Sequence, residues 1–390
     1  MPTHNPFEFG TEVAPGRLVD RTEEVRRVRQ ALESRGRLFV IGPRRYGKTS
    51  ILATAAHQAE RGGATVLRHD AEQFLTLQQL SEALVADAAR RLTPTVEKAG
   101  EAIRAFFARL QPTASYGMVD QSWSVSLTAP PGADTGRSAM LADVLNGIEA
   151  AAERTGKRVG IVVDEFQKVV AEEGLQAERQ LRAVVQRHHH VGYVFAGSAT
   201  RMLTEMTTVP QRPFYRLGES MYVGPLPRPD FTAFLQTAFA SGGFSVDDGT
   251  AEAILDGAEE VPYNVQRLAS ACWDALRDAE HPELTPGAVA EVLGRLVQRD
   301  GPLYTQIWNQ LTAFQQKALL AVAHGGGTGL HSVALLRSLG MGASHMQRAL
   351  QGLEQKEVVR REELLPREAR LRLEDPFFGA WVRGTIPAPG

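Results

Sequence analysis

Gly42-Pro43-Arg44-Arg45-Tyr46-Gly47-Lys48-Thr49 has the spacing G-x-x-x-x-G-K-[ST] in full. The apolar run Arg37-Leu38-Phe39-Val40-Ile41 stands just before it, suited to a buried strand. Ser50-Ile51-Leu52-Ala53 opens an alanine-rich amphipathic helix just after it. Strand, glycine loop and helix N-terminus together make an anion cradle, because loop N–H groups and the positive end of the helix dipole point at one phosphate chain. Lys48 then reaches the β- and γ-phosphates, and the Thr49 hydroxyl sits on Mg²⁺. The expected nucleotide-binding segment is Gly42, Pro43, Arg44, Arg45, Tyr46, Gly47, Lys48, Thr49 and Ser50. The alternative, a chance glycine loop, is disfavoured by the strand and helix at its two ends.

A phosphate loop serves kinases, GTPases and ATPases alike, so a second stretch decides more. Arg158–Gln167 reads RVGIVVDEFQ, a β-branched apolar run ending in Asp164-Glu165. Buried parallel strands have this composition, and α/β sheets place ligands at the C-terminal ends of their strands. Asp164 is placed to hold Mg²⁺ through water, and Glu165 to polarise the attacking water. A carboxylate beside the metal ligand favours hydrolysis over transfer to another acceptor. Two solvated acids at a helix start are the competing reading. A third strand, Gly192-Tyr193-Val194-Phe195-Ala196, leads into Gly197-Ser198-Ala199-Thr200-Arg201. Ser198, with Thr200 second, is the candidate to hydrogen-bond the γ-phosphate or the water. An ordinary helix N-cap is its other reading, and the two can coexist.

With these pieces the chain resembles the archaeal-type ATPase family within the STAND branch of AAA+ P-loop ATPases. The matching stretches are Asn5-Pro6-Phe7, Leu18-Val19-Asp20-Arg21-Thr22-Glu23-Glu24, GPRRYGKTS, VVDEFQ and FAGSATRML. Arg216 before Met221-Tyr222-Val223, then Val261-Pro262-Tyr263-Asn264 and Asp375-Pro376-Phe377-Phe378, continue the match, which spans nearly the whole chain. The resemblance implies that Val19 and Asp20 lie against the adenine and that Pro262, in a helical lid, lines the nucleotide. One departure is Glu260-Val261-Pro262, where the family usually has a glycine-asparagine-proline type stretch; the proline is kept in a stiffer turn. The resemblance also implies an arginine given to the γ-phosphate, often by the adjacent subunit. The candidates are Arg201, Arg212 and Arg216. Arg216 is preferred, because Pro213-Phe214-Tyr215 can anchor its loop and because it matches the family's arginine. Arg44 and Arg45 are expected to face outward or pack at the loop's rim.

The 390 residues, 43% hydrophobic, leave room for two or three domains of a soluble globular protein. A net charge of −2 gives no global sign of nucleic-acid binding, so any such site must be local. The single cysteine, Cys272, excludes an intramolecular disulfide, fits a reducing cytoplasm and reads as a small core residue. No stretch reaches the roughly 18 apolar residues of a membrane span, and no apolar signal core opens the chain. A cytoplasmic protein is expected. No internal repeat is evident.

The expected architecture is α/β, an AAA+-type P-loop parallel sheet with a helical lid and a C-terminal winged helix. Its parts are an N-terminal arm and helix (1–35, with Thr22 as N-cap), the ATPase core (36–225), the lid (226–300) and the winged helix (301–390). Alternating strand and helix from Arg37 to Gly224 implies parallel strands covered on both faces. The interval 93–137 holds an excess helix with Phe106 and Phe107, then a strand-forming run Met118–Thr128 ended by Ala129-Pro130-Pro131-Gly132. It reads as a packed excursion, with a partner surface as the alternative. Gly224-Pro225-Leu226-Pro227-Arg228-Pro229 is a linker by composition. His188-His189-His190 reads as the solvated end of a helix, since adjacent helical residues diverge and no Cys or acidic cluster completes a metal site.

In the winged helix, helices Thr312–His324, Ser332–Leu339 and Ala343–Gln355 precede two strand-like runs, Glu357–Arg361 and Ala369–Leu373. The third helix shows Ser344, Gln347, Arg348 and Gln351 outward. The wing carries Arg360, Arg361, Arg367, Arg370 and Arg372, interleaved with Glu357, Glu362, Glu363 and Glu368. That mixture favours an intramolecular or protein-facing winged helix over a DNA reader. Two functions follow. In the first, a slow ATPase acts as a switch, its nucleotide state controlling lid, winged helix and assembly with itself or a protein partner. In the alternative, ATP-dependent oligomers form on duplex DNA. A nucleotide-binding scaffold without turnover is weakened by the presence of both Asp164 and Glu165.

Overall fold

Val159–Asp164, the run that ends in the two carboxylates, is buried at every residue within a five-stranded sheet. Side chains alternate between the faces of a strand, so burial at every position requires cover on both sides. The computed structural model describes residues 4–13, 18–93, 101, 103, 105, 107, 110–117, 122–128, 137–171, 173–278, 283–365 and 368–388. The chain divides into two compact units, Glu12–Gly224 and Met1–Thr11 with Pro225–Gly390.

The unit Glu12–Gly224 runs α1 (Thr22–Glu33), β1 (Arg37–Ile41), α2 (Lys48–Arg61), β2 (Thr65–Asp70) and α3 (Leu77–Leu92). The hairpin β3 (Thr113–Gly117) and β4 (Ser122–Ser126) follows, then α4 (Arg137–Thr155), β5 (Val159–Asp164), α5 (Gln167–Ala171) and α6 (Leu175–Val185). It closes with β6 (Val191–Gly197), α7 (Thr200–Thr208) and β7 (Glu219–Tyr222). Strand order is β2-β5-β6-β1-β7, every neighbour parallel. The register aligns Ile41 with Gly197 and Val163 with Phe195. The phosphate loop, the two carboxylates and Ser198 therefore leave one edge of the sheet together.

Aromatic packing holds that edge. Phe166, the residue after Glu165, is buried with its ring 4.4 Å from Phe195, and Phe39 and Phe214 complete the cluster. Burial of a side chain this size contributes about 2–3 kcal/mol, enough to fix the backbone beneath Glu165. Phe214 is fully buried and does anchor the loop before Arg216.

Three local expectations change. Thr22 is the first helical residue and not the cap; Arg21 is the N-cap and makes no side-chain capping bond. Arg21 is instead buried, donating to the Gly224 carbonyl at 2.5 Å and to Glu24 at 2.8 Å. His188 is not a solvated helix end. It is buried between the Tyr193 hydroxyl at 2.6 Å and Asn146 Oδ1 at 3.1 Å, and burial pulls its pKa down to about 4. Ser198 is not an N-cap either: α7 is capped by Ala199. In the interval 93–137, Ser122–Ser126 pairs antiparallel with Thr113–Gly117, and half-buried Trp123 packs on Tyr116 at 5.4 Å. Phe107 is buried there, while Phe106, residues 118–121 and 129–132 lie outside the described residues.

The second unit runs α8 (Arg228–Ala240), α9 (Asp248–Gly257), α10 (Pro262–Arg277), α11 (Pro286–Arg299) and α12 (Gly301–Asn309). It continues with α13 (Ala313–Gly325), α14 (Val333–Ser338), α15 (Ala343–Gln355), the hairpin β8 (Val359–Leu365) and β9 (Glu368–Leu373), and α16 (Pro376–Thr385). Three helices and the hairpin form the winged helix. The N-terminal Asn5 and Phe7 belong here: Asn5 donates to Ser270 Oγ at 2.9 Å, and Phe7 packs 4.8 Å from Phe239. Cys272 is buried in α10, its thiol pushed up to about 12 by burial, as suits an inert core residue. Within this unit α10 is tied to the winged helix by Asn264, which donates to Asp375 at 3.2 Å, and the turn before α10 by Glu259, which faces Arg372 and Arg383. Among the described residues no helix is long and apolar enough to cross a membrane.

Candidate functional site

The phosphate loop takes its shape from two glycines. Gly47 is the N-cap of α2 with φ 84°, a left-handed conformation that glycine adopts without steric cost. Gly42 passes so close to the Val223 carbonyl that an added Cβ would collide with it. A helix leaves its first N–H groups outside its own hydrogen-bond ladder, so the start of α2 at Gly47 faces the loop with donors of the kind an anion site uses. The Lys48 side chain is only 5% exposed and its Nζ donates to the Pro43 carbonyl at 2.8 Å, which holds the ammonium along the loop. Tyr46 is buried, and Ser50 accepts from the Val13 N–H at 3.1 Å. Arg45 is exposed at φ 69°. Arg44 lies at the rim, with Nε 3.4 Å from Ser198 Oγ and its guanidinium 3.7 Å from Glu72.

The acidic strand meets this loop directly. Thr49 Oγ1 donates to Asp164 Oδ2 at 2.8 Å, and the Glu165 N–H donates to the other oxygen at 2.9 Å. Asp164 is 4% exposed, and burial pushes its carboxyl above the ordinary carboxylate range. The Thr49 and Glu165 hydrogen bonds and the nearby Lys48 charge pull the other way. A buried carboxylate that its hydrogen bonds do not fully compensate, next to a threonine hydroxyl, is a donor set suited to a hard divalent cation. Ser198 Oγ donates to Glu165 Oε2 at 2.9 Å. Lys48, Thr49, Asp164, Glu165 and Ser198 thus converge from three segments.

The remaining candidates are carried by other segments. Val19 is half-buried and Asp20 exposed with φ 27°, both just before α1. Pro262 belongs to the other unit, where it is the first residue of α10 after the buried Val261. The turn before it holds Glu259 and Glu260 at φ 47° and 61°, a strained pair where glycine would be comfortable. Of the three arginines, Arg201 is tied to Glu205 at 2.9 Å and Arg212 to the buried Glu178. Arg216 is exposed, with φ 52° and its guanidinium 5.1 Å from the Tyr215 ring centre.

Gln167 joins the site although its type and position gave it no role in sequence. Its Nε2 donates to Glu165 Oε2, and to Ser198 Oγ at 3.3 Å. The available signal is a polar residue at the start of a helix whose neighbours Phe166, Val169 and Val170 are all apolar and buried.

Residues 17–195 match the family model described as "AAA ATPase domain", and residues 302–384 match the one described as "Probable winged helix domain". No curated protein matches the chain in sequence. Among solved structures it is similar to a Walker-type ATPase of Pyrococcus abyssi at 15% identity and TM-score 0.64, covering 97% of this chain and 99% of that one. It is also similar to the Aeropyrum pernix ORC2 protein, solved as ADPNP–ADP complexes, at 14% identity and TM-score 0.55, covering 95% and 93%. At these identities the likeness is one of fold.

Proposed function

We propose that this AAA+ ATPase fold is a nucleotide-operated switch that binds ATP with Mg²⁺ and hydrolyses it slowly. One observation carries the hydrolytic half: Thr49, Asp164, Glu165 and Ser198 form a single hydrogen-bonded chain at the mouth of the phosphate loop. Lys48 and the N–H groups opening α2 would bind the phosphates. Thr49 and Asp164 would hold Mg²⁺, which when bound supplies charge neutralisation to the phosphate oxygens. Glu165 would accept the proton of the attacking water, and Ser198 would donate to the γ-phosphate or that water. The adenine and lid contacts of Val19, Asp20 and Pro262 rest on the family resemblance.

The switch half rests on the same STAND-type resemblance. Support comes from the ties between α10 and the winged helix, through which a displacement of the lid helix would move the winged helix with it. A switch requires ATP and ADP to favour different arrangements, by about 10⁴-fold for a complete reversal of populations. The test is size and ATPase rate together. Particle size is expected to differ between ADP and a non-hydrolysable ATP analogue, and rate per subunit to rise with protein concentration if Arg216 acts on a neighbour's γ-phosphate. Arg216→Ala is expected to flatten that rise and leave ATP affinity nearly unchanged. Equal size in both nucleotides, a concentration-independent rate and a fully active Arg216→Ala would remove the assembly.

A second reading places the winged helix on duplex DNA. The observation in its favour is the exposed face Ser344, Gln347, Arg348 and Gln351 of α15. Against it, the described wing arginines already meet carboxylates: Arg360 meets Glu374 at 3.0 Å, Arg361 Glu354 at 3.2 Å, Arg370 Glu362 at 2.6 Å, and Arg372 Glu259 at 3.6 Å. Arg367 lies outside the described residues. Changing Arg348, Arg360 and Arg361 together to Ala is expected to leave a weak or absent gel shift unaltered. Firm binding at physiological salt that the triple variant abolishes would establish the DNA reading instead.

A further inference from the structure

Glu165 occupies the left-handed region at φ 50°, which L residues rarely adopt, so its surroundings and not backbone preference must aim its side chain. Two donors reach Glu165 Oε2, the Gln167 amide and the Ser198 hydroxyl. Among the described residues no hydrogen bond reaches Oε1. Ser198 is an unreliable holder, because a serine hydroxyl has one proton to give. If that proton turns to a phosphate oxygen or the attacking water, Glu165 Oε2 loses it.

Gln167 has no such conflict. Its amide carries two N–H groups, one for Glu165 and one for Ser198 at 3.3 Å. Its orientation follows from chemistry, since only the NH₂ end can face a carboxylate oxygen; Oε1, turned away, is buried without a partner. The side chain is 8% exposed, and its place exists because residue 197 is glycine: a Cβ there would collide with Gln167 Oε1. We infer that Gln167 is a positioning residue for hydrolysis. Its amide keeps Oε2 of Glu165 engaged when Ser198 turns away, leaving Oε1 toward the water. This rests on the ATPase reading above.

The test uses the full chain, following phosphate release and binding of a non-hydrolysable ATP analogue. Gln167→Met keeps length and bulk without the donor, and Gly197→Ala keeps the glutamine but takes its space. In both, kcat is expected to fall roughly 10- to 100-fold while analogue affinity stays within about twofold. Gln167→Glu, which sets a carboxylate against a carboxylate, should lose at least as much. If Gly197→Ala does not fold, Gln167→Met decides. Undiminished kcat in Gln167→Met, beside a wild type that needs Lys48 and Glu165, overturns the inference and leaves the ATPase reading standing. Parallel losses of kcat and affinity overturn it too, as loop packing alone would give them. A wild type no faster than Lys48→Ala ends the ATPase reading and the inference with it.

Discussion

Glu165→Gln is expected to bind ATP as the wild type does and to hydrolyse it roughly 100- to 10,000-fold more slowly, the usual contribution of a positioned general base. The substitution is nearly isosteric. The carboxamide oxygen can still accept from Gln167 and Ser198, so the hydrogen bonds that hold residue 165 survive. What is lost is the ability to take a proton from water. The Asp164–Thr49 pair, proposed to hold Mg²⁺, is untouched. The loss should therefore appear in kcat and not in affinity. Phosphate release and calorimetric titration of an ATP analogue measure the two separately, and a variant turning over at the wild-type rate would displace Glu165 as the base.

Lys48→Ala should abolish binding instead. The ammonium lies in the loop, 5% exposed, and donates to the Pro43 carbonyl at 2.8 Å, so it is already oriented before any phosphate arrives. Truncation removes this buried charge and leaves the Pro43 carbonyl without that donor. Charged hydrogen bonds are each worth about 1.5–3 kcal/mol, so affinity should drop on the order of 100-fold or more. Calorimetry with ATP and Mg²⁺ reads this, with Lys48→Met as a second variant of similar length. Undiminished affinity in both would mean that the nucleotide sits elsewhere.

The parts legible in the chain are those written in local pattern. GPRRYGKTS and VVDEFQ carry both spacing and flanking periodicity, so loop, strand edge and carboxylates fall where they were expected. Ala343–Gln355 shows its polar face because its apolar residues repeat at helical spacing, and Met346, Leu350 and Leu353 are buried. Features set by distant partners were not legible. His188 looks like any solvated histidine until Tyr193 and Asn146 close around it. Thr22 looks like a cap until the carbonyl of Gly224 claims Arg21 and shifts the helix start. The interleaved wing charges are visible in the sequence, but Arg372 and Arg383 share a glutamate more than 100 residues earlier, Glu259, which no periodicity announces. Gln167 is of this kind as well, since its meaning depends on Ser198, brought in from the neighbouring strand.

The central claim, that this loop and strand edge hydrolyse ATP, is tested most directly by phosphate release with ATP and Mg²⁺ from wild type, Lys48→Ala and Glu165→Gln in one assay. The account predicts slow, Mg²⁺-dependent release by the wild type, release at least about 100-fold slower from Glu165→Gln, none from Lys48→Ala, and ATP binding retained, of the two variants, by Glu165→Gln alone. Release that is equal in all three proteins would contradict it.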